Sequence, residues 1–148
     1  MYTVVDVQGF KTADKTFTPK ELAVFDGTHI SHYIFKPPYP FALLPKEFQK
    51  QGRWLMDHHH CLYWDDGFTP VHQFKNILQR LTQNSDTIYV KGKEKAQYIQ
   101  KYTNKPVIEL EESPALSPTV HQCFYHSKPQ CICAMANVQN LYSNYVMH

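Results

Sequence analysis

The segment "CFYHSKPQCIC", residues 123–133, brings Cys123, His126, Cys131 and Cys133 together, so three of the chain's four cysteines stand beside a histidine. Thiolate and imidazole are zinc ligands. A Cys-x2-His pair followed five or seven residues later by another Cys lies within the usual local ligand spacing. Two other chemistries fit the same residues: a disulfide, or thiols acting as small apolar fillers at the start of a helix. A second cluster, "MDHHHCLYWDDG", sets His58, His59, His60 and Cys61 among Asp57, Asp65 and Asp66. Consecutive side chains of an extended stretch point to opposite faces, so at most two of these histidines can converge. They read as solvated loop residues, with His60 and Cys61 as second-choice metal ligands.

The carboxylates point elsewhere. Asp6 lies inside the apolar run "VVDV", where an unpaired charge is costly to bury. Two-metal phosphodiester cleavage needs several carboxylates converging on the ions. Two positions beyond Asp6, however, stands the neutral amide Gln8. An active nuclease using magnesium or manganese would draw on Asp6, Glu21, the distant Glu94 and His126 as base. Taken alone, Glu21 at the start of a strand reads as solvent-facing. In "YVKGKEKAQYIQKY", Lys91, Lys93 and Lys95 could contact phosphates and Tyr98 could stack on an unpaired base. A solvated helix face accounts for the same pattern, and the tyrosines and "KPPYP" could equally hold a protein partner.

These residues need a frame. The 148-residue chain is long enough for one domain, 1–148, with its own core, and its net charge of +2 gives no strong field for polyanions. No stretch approaches the roughly 18 apolar residues of a spanning helix. The opening residues lack the layout of a signal peptide, which predicts an intracellular protein, cytoplasmic or nuclear, with no membrane partner. In a reducing compartment, clustered thiols favour metal or catalysis over a disulfide.

"YTVVDVQGF", "KELAVFDG" and "THISHYIF" read as three successive strands joined by short turns. A short helix is possible after Pro45. In "TPVHQFKNILQRLTQ", Thr69 serves as N-cap and Pro70 as the first helical residue. A strand in "DTIYVKG", a helix in "KEKAQYIQKYT", a strand in "KPVIEL" and a last helix with a stripe through Ala134, Val138, Leu141, Tyr142 and Tyr145 complete the chain. Strands joined through helices pair in parallel by right-handed crossovers. The expectation is an α/β fold, an RNase H-like mixed sheet flanked by helices.

This layout resembles the DEDD exonucleases, whose first strand carries Asp-x-Glu and whose last helix opens with His-x4-Asp. Here Gln8 replaces the Glu. His126 plus five positions reaches Cys131, and Cys133 follows, so a soft thiol stands where the carboxylate would. More closely, "TPKELAVFDG", "CFYH" and "CAMANV" resemble motifs of the Maelstrom domain family. The resemblance implies an RNase H-like fold whose exonuclease residues have given way to a Glu-Cys-His-Cys set binding structural zinc. Here that set would be Glu21, Cys123, His126 and Cys133, with Cys131 as rival for the last place. It implies RNA as partner, a silencing or RNA-processing setting of the piRNA type, and at most weak nuclease activity.

Overall fold

The computed structural model describes residues 2–14, 16–110 and 131–146. Alternating apolar and polar residues in the first third of the chain build a meander of three antiparallel strands, β1 (Tyr2–Ala13), β2 (Thr16–Phe25) and β3 (Ile30–Lys36). β1 and β2 run further toward their shared turn than the sequence suggests. A bulge at Gln8/Gly9 allows it: a Cβ on Gly9 would collide with the Thr18 carbonyl, so glycine lets β2 approach.

β5 (Thr87–Lys91) pairs in parallel with β1, and β6 (Val107–Leu110) in parallel with β5. A two-residue strand, β4 (Thr69–Pro70), closes the far side, giving the order β4-β3-β2-β1-β5-β6. Among the described residues four helices flank this mixed sheet: α1 (Lys46–Trp54), α2 (Phe74–Leu81), α3 (Lys93–Gln100) and α4 (Ala134–Leu141). The fold is α/β, as the element order predicts.

Thr69 and Pro70 depart from expectation. Rather than capping a helix they pair with Phe35 and Lys36, and a 3-10 turn (Val71–Gln73) leads into α2. The Phe68 N–H donates to the Ile34 carbonyl at 2.9 Å and draws this segment onto the sheet edge, where a proline without an N–H is tolerated.

Register divides the sheet's chemistry. On one face Val5, Val7, Leu22, Val24 and Phe35 pack against Phe74, Ile77 and Leu78 of α2 and Ile99 of α3, an unbroken apolar core. The other face lies under α4, where Val4 and Ala23 meet Ala134, Val138 and Leu141. Because Asp6 is opposite Ala23, Gln8 opposite Glu21 and Ala23 opposite His32, that face also carries a polar row across three strands.

Lys20 points away from Glu21 and fixes the loop after α1. Its ammonium donates to the carbonyls of Phe35 (2.9 Å), Trp64 (2.7 Å) and Asp66. Burial pushes it down to about 8, against the opposing pull of the Asp66 and Asp65 carboxylates. Trp64 in turn packs on Phe10 and donates its indole N–H to the Tyr39 carbonyl at 2.8 Å. Among the described residues no helix is long and apolar enough to cross a membrane.

Candidate metal centre

The polar row reaches its focus where β2 and β3 meet the start of α4. Glu21 is completely buried, so its carboxylate must find partners within the fold. Its Oε1 accepts the Ala134 N–H at 3.0 Å, which caps α4 from a distant strand. The N-cap residue, Cys133, makes no side-chain cap of its own, and a carboxylate at a helix N-terminus is favoured by the helix dipole. Oε2 lies 2.6 Å from His32 Nε2 and 3.9 Å from Cys133 Sγ.

One donor atom from each of Glu21, His32 and Cys133 thus falls within 4.8 Å of the others. Oxygen, nitrogen and sulfur together suit zinc better than the hard cations magnesium or calcium, which take oxygen alone. Zinc bonds of 2.0–2.3 Å at tetrahedral angles separate ligand atoms by roughly 3.3–3.8 Å. The Glu21–Cys133 spacing of 3.9 Å lies just outside this range, and the His32–Cys133 edge is within 4.8 Å. The Glu21–His32 contact is a hydrogen bond that would open by under about 1 Å around an ion. With shifts of about 1 Å or less the three residues could hold a metal ion, and their donor atoms are of the types zinc takes.

Of the four ligands that the resemblance assigns, Glu21 and Cys133 come together here. Cys123 and His126 lie outside the described residues. His32 is the candidate ligand that sequence reasoning missed. The signal was the hairpin register: with the turn at Asp26 and Gly27, Ala23 faces His32, and Glu21 is its diagonal neighbour on the same face.

The other cysteine assignment needs correction. Cys131, the rival to Cys133, is bonded to Cys61 across 70 residues, so the disulfide that a reducing compartment made the weaker answer is present, and neither sulfur serves as ligand. The reading of "HHHC" as extended, solvated loop also changes. Residues Leu55–His59 form a π-helical turn continuing α1, which directs the three histidines differently. His60 is fully buried, its Nε2 3.2 Å from the Gly9 carbonyl, its Nδ1 accepting the Leu62 N–H, and its ring edge-on to Phe10. His58 is exposed, and His59 is half-buried against the exposed Trp54 ring. Burial, then the nearby Lys95 charge, hold His59 below the usual histidine range, with Asp6 opposing.

Asp6 occupies the same face, 2 % exposed, with both oxygens engaged. Lys95 donates to Oδ1 at 3.1 Å, while Gln8 and Asn137 donate side-chain amide hydrogens to Oδ2 at 2.9 and 3.0 Å. The residue of α3 that reaches Asp6 is therefore Lys95; Glu94, the expected middle carboxylate, is exposed.

This also changes the reading of the basic stretch. Lys95 is spent on an internal ion pair. Tyr98 is half-buried, packing edge-on or tilted against Phe17, Phe74 and Tyr102 at the margin of the core, and burial and the Tyr102 hydroxyl push its phenol upward. Lys91 is half-buried and Lys93 exposed at the start of α3.

No protein-family model matches this chain, and no curated protein matches it.

Proposed function

We propose that this chain is an RNase H-like domain, held together by zinc, that binds RNA in a silencing or RNA-processing setting and lacks two-metal nuclease chemistry. The observation that carries the reading is the buried Glu21–His32–Cys133 group, which ties the sheet to the helix that covers it. The three donors leave one position; filled by Cys123 or His126, as the Maelstrom-like motifs imply, the site is closed and stabilises the fold rather than activating a water. The three-strand meander followed by two parallel strands is consistent with an RNase H-like sheet.

The neighbourhood of Asp6 supports the loss of nuclease chemistry. An ammonium and two amides occupy its oxygens, where a magnesium pair would require further carboxylates. RNA as partner rests on the Maelstrom-like motifs. A protein-interaction scaffold is a second reading, favoured by the exposed side chains of Leu43, Trp54 and Phe68 and by the packing of half-buried Tyr98 against the core.

The test is metal content by elemental mass spectrometry on protein purified without chelator, paired with RNA binding at several salt concentrations. About one zinc per chain, lost in Glu21→Gln and Cys133→Ser, and RNA affinity that falls as salt rises would support the reading. A metal-free, folded protein would overturn the zinc part. Salt-independent or absent RNA binding would favour the scaffold.

A further inference from the structure

Cys61 is the one non-glycine residue with positive φ among those described, at 57°. The other positive φ values belong to Gly27, Gly67 and Gly92, the residue type that adopts this region without steric cost. A cysteine there places a thiol where a glycine would be conformationally easier, which points to a use for the sulfur. That sulfur is bonded to Cys131, with Cα atoms 5.8 Å apart.

A hydrogen bond joins the same two short segments. The His59 carbonyl accepts the Ile132 N–H at 2.8 Å. Segment 59–61 is itself anchored on β1, through His60 on Gly9 and Phe10. Two residues past Cys131 comes Cys133, whose Sγ and following N–H both meet Glu21. Downstream, Cys133 is held by the packing of α4 on Val4 and Ala23. Upstream, the disulfide and the Ile132 hydrogen bond are attachments on the described side of the segment.

We infer that the Cys61–Cys131 bond is a redox clasp on the metal site: closed, it positions Cys133 for zinc; opened, it leaves α4 packed but the ligand thiol less constrained. The inference rests on the zinc reading above. The couple balances with a low-molecular-weight disulfide such as glutathione disulfide. Cys131 is partly exposed and Cys61 is buried, so Cys131 exchanges first. Its thiolate displaces one glutathione and forms a mixed disulfide. Cys61 then attacks the Cys131 sulfur and releases the second glutathione. Two electrons and two thiol protons pass from the chain to glutathione.

The experiment is a zinc competition titration against a chromophoric chelator, on the full chain oxidised or reduced in glutathione buffers, with thiols counted in denaturant. The expected result is two fewer thiols in the oxidised form and zinc held at least about tenfold more tightly. Cys61→Gly keeps the left-handed backbone without the sulfur. It should fold, bind zinc as the reduced wild type does, and show no dependence on redox buffer. Equal zinc affinity in the two wild-type states would overturn the clasp and leave the metal site standing. No zinc binding in either state would overturn the metal reading and the clasp with it.

Discussion

Lys95 Nζ lies 3.1 Å from Asp6 Oδ1, so an ammonium from the first turn of α3 neutralises the buried carboxylate of the first strand. Removing the cation while keeping the anion leaves a buried charge with two amide donors alone. Lys95→Met is expected to destabilise the fold by about 1–3 kcal/mol, less than a fully buried pair because the lysine is 33 % exposed. Asp6→Asn combined with Lys95→Met should cost less than the two single changes summed, with a coupling of about 1 kcal/mol. Urea unfolding of the four proteins measures it. Strict additivity would mean that the pair is not coupled.

At the candidate metal centre the discriminating residue is His32, which is not among the residues the resemblance assigns to the Glu-Cys-His-Cys set. With zinc at about a hundred times its dissociation constant, mass action adds roughly 2.7 kcal/mol to stability. For a domain of this size that corresponds to a Tm rise of about 5–10 °C, reversed by a chelator. His32→Ala should abolish most of the rise, as should Cys133→Ser. A full zinc-dependent shift in His32→Ala would exclude this histidine from the ligand set.

What could be read from the sequence, and what could not, follows from the range of the interactions concerned. Strand and helix order rests on local periodicity, so the meander, α2, β5, α3 and β6 follow from runs such as "YTVVDV" and "FKNILQRL". Glu21 and Cys133 were reached through short motifs, although 112 residues separate them. His32 depends on cross-strand register, and the Cys61–Cys131 bond on a π-helical turn that no residue in "LMDHH" announces. Thr69 and Pro70 carry a valid local capping signal. It is overridden by the Phe68 N–H bonding to the edge of β3. Tyr98 sits in a lysine-rich stretch but on the buried side of α3, a distinction of face that composition does not carry.

Lys20 supplies three hydrogen bonds, two of them buried, that hold the loop carrying Trp64 and Asp66. Lys20→Met keeps the stem's volume and leaves three carbonyls without that donor. The cost should be about 2–4 kcal/mol, since a buried acceptor stripped of its partner loses its full desolvation compensation. The near-ultraviolet circular dichroism signal of Trp64 should weaken at denaturant concentrations where the wild type is still native. A variant with wild-type stability would show that water replaces the ammonium fully.

His59 gives the acid side of the stability profile a defined sign. Burial and the Lys95 charge lower its pKa in the folded state, so between that value and the ordinary 6.5 the unfolded chain binds a proton that the native chain does not. Stability therefore rises with pH across this window and falls as pH drops below about 6.5. The full contribution is present at neutral pH and is lost on acidification. His59→Gln removes the titrating group, and Lys95→Met removes one cause of its shift while leaving burial. Chemical denaturation of all three proteins between pH 5 and 7.5 should give the steepest slope for the wild type, a shallower one for Lys95→Met and the shallowest for His59→Gln. A His59→Gln slope equal to that of the wild type would assign the acid sensitivity to other groups.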